Sequence, residues 1–296
     1  MEEKRSFILI DTLPNDHYQT AHLPRAKNAC VFEITFPDQV EAVVSDKESK
    51  IILYGFSAET MDAATAAEKL LRAGYRDVTV LDGGIAQWRA AGFAIEGDRA
   101  DAPDETGQEL RFEDGKYDVD IEQSLIEWAG RNPNTKHFGT LRLSRGGVRI
   151  EGEKITGDFD LDMRSIVNMS LEGDELQPVL IAHLKSDDFF FVENFPKATF
   201  TIQQAVPAAA ATLSAPNYVV AGTLSLRGIE GEVRFDATVS KLEDGVLAAE
   251  AHFDMDRTRW NVIYGSSRFF KHLGMHLVFD PISIQIKIVA RFGAHP

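Results

Sequence analysis

The sequence predicts two folds in tandem: an open parallel α/β sheet over residues 1–97, then an all-β antiparallel barrel over 116–296. Three observations carry this. Up to residue 97, short apolar runs alternate with helix-forming segments; past 116, apolar and polar residues alternate singly; and the acidic stretch 98–115 between them has almost nothing to bury.

Bulk properties set the bounds. With 296 residues, 44% hydrophobic and 26% charged, the chain is long enough for two buried cores. A net charge of -15 and a pI near 5.0 disfavour attraction of the whole chain to nucleic acid or to anionic lipid. The opening MEEKRSFILIDTLPND has only the run Phe7–Ile10 before Asp11, too short for a secretory signal, and no later run approaches the ~18 residues of a membrane span. A single cysteine, Cys30, excludes an intrachain disulfide and any Cys-rich metal site. The expectation is an unexported cytoplasmic protein with no integral membrane association.

In the first half, FILI, IILYG and VTVL read as buried strands. AATAAEKLLRAG and GGIAQWRAAG carry helix formers with apolar residues three and four apart, and each stops at an Ala-Gly pair. Ligands of such sheets bind beyond the carboxyl ends of strands, where loop amides converge on an anion. The loop Gly55, Phe56, Ser57, Ala58, Glu59, Thr60 stands at that place.

LIDTLPNDHYQTAHLPRAKNA, IILYG with its loop, and RDVTVLDGGIAQWRAAGFAIEG together resemble a rhodanese-like domain over residues 6–97, including His22, Pro24, Gly83, Gly84 and Trp88. The resemblance implies a sulfur-carrying cysteine at the first loop position. Here that position is Gly55, no side chain of the loop can store a sulfane sulfur, and Glu59 would repel anions. Leu13 and Arg25 likewise replace an arginine and a glycine of many relatives. No catalytic residue is assigned; the half is left as an anion-binding remnant, a docking module for a protein partner, or structural support. Cys30 is expected to be buried, its alternative being a substitute thiol for sulfur transfer.

In the second half, Phe159, Leu161 and Met163 alternate with Asp158, Asp160 and Asp162, and the same period recurs at Val233–Val239, Leu247–Met255 and Ile282–Ile288. SRGG and LEDG mark turns, PAAAATLSAP a surface loop, and SDDFFFVENFP and SSRFFKHLG the helical candidates. Closure into a barrel removes the exposed edges of such a sheet.

YDVDIEQSLIEWAG, HFGTLRLSRGGV, GDFDLDMRSI, HLKSDDFFFVENFPKATF, GTLSLRGIEGEV and MDRTRWNVIYGS, six blocks in order over residues 117–291, resemble the YceI-like, polyisoprenoid-binding proteins of lipocalin-like shape. The resemblance implies an interior that holds a long isoprenoid or fatty chain. An eight-stranded barrel is wide enough for one small ligand, or is filled by its own side chains. Trp128, Phe138, Met163, Phe189, Phe190, Phe200, Phe253 and Trp260 are expected around the tunnel or its mouth.

Other signals are weak. DFDLDM lacks the glycine and distant glutamate of a calcium loop, and His272 with His276 lacks a third zinc ligand, so no metal is assigned. His183, Asp187, Asp256 and Arg257 read as caps and ion pairs at strand and helix ends rather than as contacts to a ligand head. No phosphate-binding glycine loop or nucleophile elbow is present, and no cofactor is expected.

Overall fold

A computed structural model describes residues 7–100, 112–152, 154–208, 214–243 and 245–293. The chain separates into two compact units, 1–107 and 108–296. Most of the acidic linker and the tip of the PAAAATLSAP loop fall on residues 101–111 and 209–213, outside the described residues.

The first unit runs β1 (Ile8–Asp11), α1 (Asn15–Thr20), β2 (Lys27–Asn28), α2 (Phe36–Val43), β3 (Lys50–Tyr54), α3 (Asp62–Arg72), β4 (Asp77–Val80) and α4 (Gly84–Ala90). All pairings are parallel, in the order β2-β1-β3-β4. Helix α3 buries Ala63, Ala66 and Leu70, one face of a 3.6-residue period, against Ile51 and Leu53 of the sheet. It ends where Gly74 turns left-handed (φ 93°), which lets Tyr75 N–H return to Leu70 O at 3.1 Å. The three apolar strands and the two Ala-rich helices lie where periodicity puts them, but β4 is a correction to the expected burial: it is the edge strand of the sheet and is mostly exposed, Val80 included. Strand β2 and helices α1 and α2 are additions too short to show a period.

The second unit runs β5 (Gly115–Val119), β6 (Leu125–Arg131), β7 (Lys136–Glu151), β8 (Lys154–Asn168), α5 (Leu176–Lys185), β9 (Lys197–Pro207), β10 (Tyr218–Leu226), β11 (Ile229–Glu243), β12 (Val246–Asp256) and β13 (Pro281–Phe292). From β7 to β13 each strand pairs antiparallel with the next, and β5 and β6 both bridge β13 back to β7. Strands β5 and β6 are therefore two pieces of one stave, and the sheet closes as an eight-strand antiparallel barrel. At the break, the buried Ser124 hydroxyl replaces the missing ladder, accepting from Val289 N–H at 3.0 Å.

One end of the barrel, called here the cap end, carries the β6–β7 turn, α5, the β10–β11 turn and the long β12–β13 connection. The helix at this end differs from expectation. It occupies LQPVLIAHLK, upstream of the Phe-rich run, with Pro178 in the first turn where a missing N–H costs nothing. SDDFFF and SSRFFKHLG are turns, flanked in the latter case by the 3-10 turns Arg257–Trp260 and Gly274–His276.

Candidate functional site

The barrel encloses a cavity of about 210 Å³ whose wall exposes no polar atom. It extends along β12 from Leu247 to Met255, and it is lined in turn by inward residues of every barrel strand but β5. Four rings form a row across it. Phe159 (β8) lies 6.5 Å from Phe200 (β9), Phe200 5.8 Å from Phe235 (β11), and Phe235 stacks on Phe253 (β12) at 4.4 Å, tilted by only 4°. Gly222 of β10 makes the row possible, because a β-carbon there would sit 2.7 Å from Phe200 Cζ.

Of the residues expected around the tunnel, Trp128, Met163, Phe190, Phe200 and Phe253 line this cavity. Phe189 and Trp260 do not; they are buried under the barrel end. Phe138 is a correction. Gly139, Leu141 and Leu143 are the buried residues of this part of β7, so Phe138 has the opposite parity and stands 42% exposed on the outside, with Lys136 Nζ 5.2 Å above its ring. Phe112 is a second correction. Assigned by sequence to the solvated linker, it packs against the barrel core and lines the cavity.

Residues 257–280 form a cap across the end. Trp260 Nε1 donates to Leu224 O at 2.9 Å, Tyr264 meets the rings of His183 and Phe189 at 4.6 and 5.2 Å, and Phe279 N–H donates to Arg131 O at 2.9 Å. Arg257, 2% exposed, pins the base of the cap by donating to Val262 O, Val278 O and Phe279 O at 2.5, 3.1 and 3.1 Å. Arg227 fastens it from the side. Together with Gly228 it makes the tight β10–β11 turn in left-handed geometry (φ 55° and 72°), and its guanidinium donates to Phe189 O, Asp187 O and Asn261 O at 2.6, 3.0 and 3.0 Å.

The charged residues noted in the sequence hold this frame. His183 Nε2 is 3.1 Å from Asp188 Oδ2, and Asp187 offers its backbone carbonyl to Arg227. Burial disfavours the Asp256 carboxylate, yet donation from Thr258 and Arg268 outweighs it and holds its pKa below the ordinary 3.8. In DFDLDM, Asp160 is buried on β8 and taken by Thr199 Oγ1 (3.0 Å) and Arg145 Nε (3.1 Å). Among the described residues no group of three or more His, Cys, Asp or Glu could hold a metal.

In the first unit, the 55–60 loop leaves the carboxyl end of β3, and three of its amides are taken by side chains of the loop and of Asp62 at the start of α3. Phe56 N–H donates to Asp62 Oδ2 (2.6 Å), Ser57 N–H to Thr60 Oγ1 (3.1 Å) and Glu59 N–H to Ser57 Oγ (3.2 Å). A β-carbon on Gly55 would fall on the Asp62 carboxylate, which is itself buried. Gly55→Cys is therefore expected to cost on the order of 1–3 kcal/mol through overpacking and to give no thiosulfate sulfurtransferase activity. Thermal melting and a thiosulfate assay check this, with Gly55→Cys/Asp62→Ser regaining stability. Cys30 is 4% exposed, its N–H bound to Gln39 Oε1 at 2.9 Å.

Beside the loop, Asp11 ends β1 fully buried. Burial raises its pKa above the ordinary 3.8, against the neighbouring Tyr54 hydroxyl, donation from Leu13 N–H to Oδ1 at 2.8 Å and the pull of His17 and His22. Leu13 supplies no charge to offset this burial. The folded chain thus holds this proton to higher pH than the unfolded chain, and stability falls as pH rises from 3.8 through the raised value. Asp11→Asn is expected to match the wild type near pH 4 and to exceed it by a margin that grows toward neutrality, measured as melting temperature across that range.

Comparison with known proteins follows the same division. The family model for a YceI-like domain matches residues 117–290, and that for a rhodanese-like domain matches 1–91. Similar solved structures include BcnA of Burkholderia cenocepacia, 21% identical, covering 58% of this chain and 99% of that one with a TM-score of 0.46. Another is a polyisoprenoid-binding domain of Saccharophagus degradans, 14% identical, covering 60% and 98% with a TM-score of 0.41. Among curated proteins, an HTH-type transcriptional regulator of Mycobacterium tuberculosis is 31% identical over 94 residues, 32% of this chain and 39% of the regulator. An adenylyltransferase and sulfurtransferase of Candida albicans is 33% identical over 91 residues, 30% of this chain and 20% of that protein. The chain spans well under half the length of both curated relatives.

Proposed function

The chain belongs to the YceI-like family, and from that premise we propose that its barrel binds and carries a long apolar chain, of isoprenoid or fatty type. The observation that carries this reading is the cavity inside the barrel, whose exposed lining surface is entirely apolar. An apolar hollow of this kind stays dry and takes an apolar guest.

Size narrows the guest. An engineered cavity of ~150 Å³ accepts one benzene ring, so 210 Å³ accepts roughly eight to ten carbons as it stands. At ~0.8 kcal/mol per buried CH2 that is about 7 kcal/mol, inside the ~4–15 kcal/mol range that association costs and so not reliably above it. A chain of about twenty carbons gains about 16 kcal/mol and clears that cost. Tight binding thus calls for the longer guest, with the rings of Phe200, Phe235 and Phe253 swinging aside to admit it.

The rhodanese-like unit acts as a docking or structural module rather than as a sulfurtransferase. Three of its loop amides are taken by side chains and its one cysteine is buried. The carrier reading is tested by organic extraction of freshly purified protein and mass spectrometry of the extract. A long-chain lipid recovered in near-stoichiometric amount is expected, and an extract without one overturns the reading.

A further inference from the structure

We infer that the outer face of the cap docks on the surface of an anionic lipid bilayer, the place from which an insoluble chain must be collected. The inference rests on the carrier reading and adds the surface through which loading occurs. Most of the large apolar side chains exposed on the barrel unit lie at the cap end, and four of them, Phe269 (51%), Phe270 (44%), Met275 (90%) and Phe279 (42%), project from the cap itself. Exposed phenylalanines over the end of an apolar hollow mark a contact surface, since each is stabilised by leaving water.

Charge selects the occupant. In a chain of net charge -15, the stretch from Arg257 to Phe279 contains no Asp or Glu, while Arg259, Lys271, His272 and His276 are exposed on it. Arg268, also exposed, is held by Asp256 at 2.7 Å, and Arg259 lies over the Trp260 ring at 5.0 Å. Alternation of exposed aromatic and cationic side chains suits the interface between acyl chains and phosphate headgroups, each basic residue adding attraction only near the surface. Of the acidic residues bordering the cap, Asp256 and Asp280 face Arg268 and Arg257 and Asp188 lies 3.1 Å from His183 Nε2, while charges beyond about 8–10 Å are screened at physiological salt.

The frame beneath fits the same use. Trp260 and Val262 are fully buried and Arg257 ties the cap at its base, so the outer residues are presented on a fixed support directly above Met255 and Ile282 of the cavity.

The test is co-sedimentation of the full chain with vesicles of phosphatidylcholine, with and without phosphatidylglycerol. The wild type is expected to pellet with the phosphatidylglycerol vesicles, and Phe269→Ser/Phe270→Ser/Lys271→Glu, confined to exposed positions, to pellet roughly tenfold less or worse with an unchanged melting temperature. Equal pelleting of the variant, equal pelleting with and without phosphatidylglycerol, or none at all overturns the inference. Extraction of the wild type separates the two readings. A loaded extract without pelleting removes the docking face alone, and an empty extract beside phosphatidylglycerol-dependent pelleting removes the carrier reading alone.

Discussion

Replacing Ala251 by phenylalanine is expected to empty the barrel of extractable lipid, by roughly tenfold or more, while leaving the fold intact. Ala251 faces inward at the middle of β12, between Ala237 of β11 and Ile286 of β13, and all three line the cavity. A ring added there projects into the 210 Å³ hollow, beside the stacked pair Phe235 and Phe253. Cavity space is worth about 24 cal/mol per Å³ when filled, so the ring repays part of any repacking strain of ~1–3 kcal/mol. The melting temperature should then move by only a few degrees in either direction. Ala237→Phe on the neighbouring strand provides a second plug from a different direction. Lipid retained at wild-type level in both variants, with both folded by circular dichroism, would show that the guest lies elsewhere.

Much of this arrangement was legible in the sequence, because it rests on period. The two-residue alternation of Leu247 to Met255 is a direct consequence of a strand with one face turned to an apolar interior, and the Ala-Gly stops of α3 and α4 follow from the left-handed turn that only glycine adopts cheaply. Parity was harder. Phe138 sits in a block that resembles other members of the family, but resemblance names the block and not which face each residue takes; a shift of one residue reverses the direction. Helix α5 has no distinct signal, because LQPVLIAHLK is of ordinary propensity and lies beside a more conspicuous run of phenylalanines.

The contacts that matter most at the barrel end had no local signal. Arg227-Gly228 is readable as a tight hairpin turn, yet nothing in the sequence tells that the arginine reaches carbonyls of Asp187 and Asn261, 40 and 34 residues away. Asp62 is similar. A helix-opening aspartate is commonplace, and its occupation of the space beside Gly55 follows only from how β3 meets α3. Gly55 at the head of the loop is legible in the sequence, whereas the carboxylate that fills the space beside it is not.

Arg257→Met is expected to destabilise the barrel unit by about 3–5 kcal/mol, the largest loss of any single substitution considered. The guanidinium is buried, which lowers its pKa, yet an arginine keeps its charge and its donors in a protein. Its donors satisfy three carbonyls within the cap, and Asp280 Oδ1 lies 3.8 Å away. Methionine matches much of the volume but leaves those carbonyls without this donor and Asp280 with only Arg268 at 4.0 Å. A loss of that size lowers the melting temperature of a unit this large by roughly 6–20 °C. Arg257→Lys should recover only part of it, because an ammonium cannot span the fork from Val262 to Phe279. Calorimetry supplies the control, since the transition of the rhodanese-like unit should stay in place while that of the barrel moves. A methionine variant that melts with the wild type would mean that the cap is held by Trp260 and Arg227 alone, and the fixed support required beneath the exposed phenylalanines would then have to be sought in those two residues.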